Sequence, residues 1–199
     1  GRSGGTRYSQ SCILLGGEGD SMQRDYSYDS RRCFDELEAP GVTGEEAARR
    51  TARRLGPRQL PTSEMPVLFA PEVAQGLVSH LVGAISGSAL YRNASFLKGA
   101  VGECLFPDWL SILERPRLKR GAGSAVFDSE GVATRERCIV RSGVLDDYVL
   151  SSYSARRLGL ETTGNAGGVR NLVLEPGGEG CESPLEQMRD GFYVTEVMG

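Results

Sequence analysis

Residues 65–88, MPVLFAPEVAQGLVSHLVGAISGS, constrain the fold more than any other stretch of the chain. The apolar lead-in, residues 65–70, predicts a buried strand. Pro71 suits the first turn of a helix, where its missing N–H costs nothing, and Glu72 suits the positive end of the helix dipole. Val73, Leu77, Leu81, Ala84 and Ile85 recur at helical spacing and form one apolar face. Gly76, Gly83 and Gly87 gather on the flank of that face, with His80 between them. Glycine weakens a helix by about 1 kcal/mol relative to alanine. A flank that accepts this cost repeatedly predicts that another backbone packs closely against it.

On the N-terminal side, residues 8–15 and 21–28 flank the turn GGEGD and predict a β-hairpin, with Tyr26 and Tyr28 on one sheet face. Thr43 and Glu46 form a capping-box pattern that opens a helix over 43–55. Ala47, Ala48, Ala52 and Leu55 supply its apolar stripe, and Gly56-Pro57 ends it. Arg49, Arg50, Arg53 and Arg54 make a solvated basic face near the negative helix end; a docking patch for an acidic partner is the alternative. Residues 58–64 form a proline-bearing linker.

On the C-terminal side, residues 107–112 read as a strand entered from a turn, with Trp109 as a core anchor. RPRLKR at 115–120 reads as an exposed basic loop. Residues 124–127 read as a short strand and 128–131, DSEG, as a turn. Asp128 and Glu130 serve that turn, since no oxygen ligands at calcium-loop spacing follow. Residues 137–141, the pair Ser142-Gly143 and residues 144–151 form the strongest hairpin signal in the chain. A helical turn at 154–158 ended by Gly159, a strand at 171–174, a loop at 176–180, a helix at 183–190 opened by a Ser183/Glu186 capping box, and a strand at 192–198 complete the chain. The sum is an α+β fold, mainly antiparallel sheet with hairpins, one long small-residue helix and several short helices. It divides into residues 1–64, a hairpin plus capped helix, and residues 65–199.

The chemistry-bearing loop is TTGNAGG, residues 162–168. Its glycines permit positive φ and close backbone approach. Gly164, Asn165, Gly167 and Gly168 are the candidate peptide-binding residues, because successive N–H groups there can converge on a carbonyl or an anion. A plain glycine-rich connection into the next strand is the rival reading. The loop is neither a P-loop nor a dinucleotide fingerprint. The five cysteines, Cys12, Cys33, Cys104, Cys138 and Cys181, show no CxxC spacing and read as reduced structural thiols of a cytoplasmic protein. A net charge of −3 gives no case for direct nucleic-acid binding. No apolar run reaches the length of a membrane span.

Four segments resemble the TldD/PmbA family, and its PmbA (TldE) branch in particular: HLVGAISGSALYRNASFL at 80–97, FPDWLSILERP at 106–116, FDSEGVATRER at 127–137 and LSSYSARRLGLETTGNAGGVRNL at 150–172. They occur in the family's order along nearly the whole chain. The resemblance implies a metallopeptidase of unfolded peptides, associated with peptide-antibiotic maturation and antitoxin degradation. It implies that residues 1–64 end a central region and that 65–199 are a C-terminal domain incomplete at its end. The TldD branch carries an HExxxH zinc motif on the corresponding helix and a later cysteine ligand. Aligning Val82-Gly83 with that motif puts Ser79 and Ala84 at the ligand positions and His80 at the glutamate. A zinc site needs three or four nitrogen, sulfur or carboxylate ligands, and this chain has one histidine. The expectation is therefore no cofactor on this chain, with zinc supplied by a TldD-like partner in a heterodimer. The alternative is a binding or regulatory module of gyrase-modulator type without peptidase activity. An autonomous hydrolase using His80 with Ser79 or a cysteine lacks an orienting third group.

Overall fold

The computed structural model describes residues 4–175, 183–188 and 190–197. Cys181 and the 176–180 loop lie outside them. Backbone contacts divide the chain into two units, Arg2–Ser63 and Glu64–Gly199.

In the first unit, β1 (Tyr8–Gly16) and β2 (Gln23–Arg31) pair antiparallel, from Tyr8 opposite Arg31 to Gly16 opposite Gln23. The helix α1 spans Pro40–Arg53. It starts earlier than the capping-box pattern predicts. Pro40, with its φ already fixed, takes the first helical position after Ala39. Thr43 is thereby carried into the helix and buried, and its hydroxyl accepts from Gln10 Nε2 at 2.8 Å. Glu46 turns to Arg49 and Arg50 instead of the backbone. The buried stripe is Thr43, Ala47 and Thr51, while Ala48, Ala52 and Leu55 are exposed. Small residues at this i, i+4, i+8 spacing bring the helix close to the ribbon, and Thr51 satisfies its hydroxyl on Ala47 O at 2.9 Å. On the other face, Tyr26 and Tyr28 stack with centroids 6.2 Å apart and stay exposed.

In the second unit, β3 (Val67–Phe69) pairs in parallel with β8 (Phe192–Val194). It is not the buried strand expected over 65–70: Val67 and Phe69 are exposed, in a two-stranded sheet with β8. Pro71 opens α2 (Pro71–Ala84) as predicted. Ile85 caps this helix, and Ser86 starts a new one, α3 (Gly87–Tyr91), by accepting the Ala89 N–H. No residue of α2 is buried. A Cβ on Gly76 or Gly83 would meet nothing, so the expected close backbone approach is absent there among the described residues. At Gly87 a Cβ would clash with the Ser154 side chain, and the backbone that comes close is that of Val149, whose carbonyl accepts the Gly87 N–H at 2.8 Å.

A four-stranded antiparallel sheet forms the centre of this unit, in the order β6 (Val144–Leu145), β5 (Arg137–Arg141), β4 (Ser111–Glu114), β7 (Leu172–Glu175). Ile85, Leu90, Ile139, Val140, Leu145, Leu150 and Pro116 are the largest fully buried side chains of the unit. The Ser142-Gly143 turn has φ 46° and 81°, the positive pair that a two-residue hairpin turn requires. The ladder after it is shorter than expected. The Asp146 N–H still donates to Ile139 O of β5 at 2.9 Å, and further on Val149 exchanges backbone hydrogen bonds with Ile85 and Gly87. Tyr148 is the buried aromatic anchor: its hydroxyl accepts from the Gly99 and Ala100 N–H groups and donates to Leu97 O at 2.7 Å. Trp109, expected in that role, is 59% exposed. The turn that joins Pro107 O to the Leu110 N–H sets it ahead of the strand.

The helix α4 (Ser152–Leu158) is capped by Ser151 and ended by Gly159 at φ 70°. In the short α5 (Pro184–Gln187), proline starts the helix, but Ser183 makes no side-chain cap, so the expected capping box is absent. Residues 124–127 contribute one bridge, Phe127 to Ala133, rather than a strand. The fold is α+β and mainly antiparallel, as the sequence predicts. No described helix is long and apolar enough to cross a membrane.

Candidate peptide-binding site

Strand β4 alternates half-buried and buried residues, and Glu114 falls in the buried phase with Ile112. Its cross-strand partner on β5 is Arg137. Arg137 Nε donates to Glu114 Oε2 at 2.8 Å, and the side chains are 7% and 3% exposed. A carboxylate so placed must be paired and fully hydrogen-bonded to stay charged. The glycine-rich loop supplies the remaining donors. Asn165 Nδ2 reaches Glu114 Oε1 at 2.8 Å, and the Arg170 N–H reaches the same oxygen at 2.6 Å. Arg137 Nη1 donates to Asp147 Oδ2 and Tyr148 O. Its Nη2 is buried with no partner among the described residues.

Thr163 fixes the orientation of Asn165. Its hydroxyl donates to Asn165 Oδ1 at 2.7 Å and accepts from the Leu150 N–H at 2.8 Å. Asp128 ties a second loop to the same place. It accepts from the Glu130 and Val132 N–H groups through Oδ1 and from the Ala166 N–H through Oδ2, each at 2.9 Å. Burial works against its ionisation, but the Ala166, Val132 and Glu130 donors, with the Arg170 charge, outweigh it and hold the carboxyl below its ordinary value. Asp128 is therefore turn chemistry, as the DSEG pattern predicts.

The loop residues divide by role. Gly164, at φ 73°, is buried, and a Cβ there would press on Ala133 O at 3.0 Å. Asn165 is buried in the carboxylate network. The Asn165 N–H is spent on Leu150 O, the Ala166 N–H on Asp128 and the Gly168 N–H on Asn165 O. The loop's donors mostly hold the loop itself. Gly167 is exposed, at φ 87°, and its N–H has no partner among the described residues. Sequence reasoning missed Glu114 and Arg137. The available signal was a charged residue in the apolar phase of a strand.

The three positions aligned with the zinc motif lie on α2 and do not fit a metal. Ser79 Oγ donates to Gln75 O at 2.9 Å, His80 is exposed and Ala84 offers a methyl group. Among the described residues, no three His, Cys, Asp or Glu side chains gather in a group able to hold a metal ion.

The model of the PmbA/TldA metallopeptidase C-terminal domain matches residues 62–199. This chain belongs to the PmbA/TldD family. Metalloprotease PmbA of Escherichia coli O157:H7 is 47% identical over 194 residues, covering 98% of this chain and 43% of that protein. The PmbA homologue of Haemophilus influenzae is 46% identical, again over 98% of this chain and 43% of its own length. The chain thus spans less than half the length of these PmbA relatives. Among solved structures, a Thermotoga maritima protein described as a modulator of a DNA gyrase superposes with a TM-score of 0.84 at 31% identity, covering 96% of this chain and 45% of that one. TldE from Thermococcus kodakarensis, at 24% identity and a TM-score of 0.76 over 97% of this chain and 46% of its own, shares the fold.

Proposed function

We propose that this PmbA-branch chain is the non-zinc component of a two-subunit metallopeptidase, and that it walls the cavity in which unfolded peptides are held. The observation that carries the reading is the set Ser79, His80 and Ala84: a metallopeptidase-family chain whose motif helix presents a hydroxyl, one imidazole and a methyl group. The zinc, held by a TldD-like partner, would activate water and polarise the scissile carbonyl. This chain's own part is to restrict access to extended peptides and to present the outer edge of the 162–168 loop to them. The buried Glu114–Arg137–Asn165 network holds that loop to the sheet, so it stays in place without a bound ligand.

The test is elemental analysis and peptide cleavage by the chain alone and mixed with a TldD-like subunit. The expected result is zinc and chelator-sensitive cleavage only where the TldD-like subunit is present. Stoichiometric zinc held by this chain alone would overturn the assignment.

The gyrase-modulator description of the Thermotoga maritima structure favours a second reading, a regulatory module acting on a DNA-linked protein. The net charge of −3 supports a protein partner over DNA itself. Co-purification separates the two readings, since only the first requires a zinc-bearing subunit.

A further inference from the structure

One corner of the 162–168 loop has donors left over. The site where a Cβ on Gly167 would stand is 2.5 Å from Ser129 Oγ and 3.6 Å from Arg170 Nη2. Ser129 and Gly167 are both exposed. Among the described residues, neither the Ser129 hydroxyl nor the Gly167 N–H has a hydrogen-bond partner, and Arg170 bonds only through Nη1 and its backbone N–H. The corner is rigid. The Ser129 N–H donates to Ala166 O at 3.0 Å, and the Ala166 N–H donates back to Asp128 Oδ2 at 2.9 Å. Arg170 Nη1 is fastened to Gly168 O at 3.0 Å and Val169 O at 3.2 Å, which fixes the guanidinium plane. Gly167 has no side chain, and Ser129 Oγ stands where one would have to go.

A guanidinium nitrogen, a hydroxyl and a backbone N–H on one corner of the loop can each donate a hydrogen bond. That set matches a carboxylate, which takes charge-assisted hydrogen bonds from arginine and further bonds from neutral donors. The carboxylates that flank Ser129 are engaged: Glu130 Oε2 accepts from the Ser152 N–H at 2.8 Å, and Asp128, which also feels the Arg170 charge, accepts from the Glu130, Val132 and Ala166 N–H groups. We propose that Ser129, Gly167 and Arg170 form a subsite for the terminal carboxylate of an extended peptide. The inference rests on the cavity-wall reading above and adds the polarity with which the peptide would lie along the loop.

The test is calorimetric titration of the chain, alone and with a TldD-like subunit, using one unstructured hexapeptide as the free acid and as the C-terminal amide. The free acid is expected to bind about tenfold more tightly than the amide. Arg170→Gln should remove the preference, and Ser129→Ala should reduce it, each with an unchanged circular dichroism spectrum. Equal binding of acid and amide, or a preference that survives Arg170→Gln, overturns the subsite and leaves the cavity-wall reading standing. Failure of both peptides to bind, with and without the TldD-like subunit, overturns that parent reading and this inference with it.

Discussion

Glu114 and Arg137 stand directly opposite one another in the β4–β5 ladder, joined at 2.8 Å and nearly sealed from water. Arg137→Met would leave a buried carboxylate with only its neutral donors. The expected cost is roughly 3–5 kcal/mol, read as a lowered urea midpoint. Pairing it with Glu114→Gln should recover part of the loss, because the double variant buries no unpaired charge. Additive losses in that cycle would show that the two side chains do not act together.

Asn165 links the sheet carboxylate to the loop through its amide. Asn165→Ala should cost roughly 1–3 kcal/mol, the range for leaving a buried polar group short of a partner. Asn165→Asp should cost more, since it sets a second carboxylate against Glu114. Amide hydrogen exchange would localise the effect: protection should fall at Arg170 and across residues 162–168, with little change in α1.

Acidification tests Asp128. Its folded carboxyl titrates below the ordinary carboxylate value, against burial, because backbone donors hold the charged form. A depressed folded pKa adds stability that is complete above the unfolded value, about 3.9. That stability is lost as pH falls through the folded value. Wild type should therefore exceed Asp128→Asn in stability at pH 6, and the gap should close as the pH is taken below 4. A gap unchanged by pH would remove the carboxylate from the account.

Glycine substitutions separate packed positions from open ones. Gly143 has φ 81°, and a Cβ there would lie 2.1 Å from Phe106 O. Gly143→Ala should lose roughly 1–3 kcal/mol from backbone strain alone, seen as a lower thermal midpoint. Gly76 is an exposed helix residue with nothing near its Cβ site. Gly76→Ala should stabilise the isolated chain by about 0.5–1 kcal/mol. If Gly76→Ala also weakens binding to a TldD-like subunit, the open flank of α2 is where a second backbone approaches.

Local punctuation was the legible part of this sequence. Pro71 starts α2, Gly159 ends α4, and Ser142-Gly143 turns the hairpin, because each meets a backbone requirement a few residues wide. Positions decided by distant neighbours were not legible. Thr43 read as a cap, but Pro40 begins the helix earlier and hands Thr43 to Gln10. Trp109 read as core on hydrophobicity alone, yet the turn at Pro107 places it in solvent, and Tyr148 takes the anchoring role. In the candidate site, the glycine-rich loop was visible as a pattern. Its attachment to Glu114, 51 residues away in sequence, was not. That contact depends on tertiary placement of the loop against β4, which no local pattern encodes.

The β1–β2 ribbon has a consequence for handling the protein. Its strands are nine residues long, contain no proline, and have no further strand beside either outer edge among the described residues. Ile13, Leu15, Tyr26 and Tyr28 stand exposed along it. Such an edge is a template for intermolecular strand addition. Residues 2–63 prepared as a separate fragment should self-associate as their concentration rises. A lysine in place of Ile13 is the change that should keep them apart.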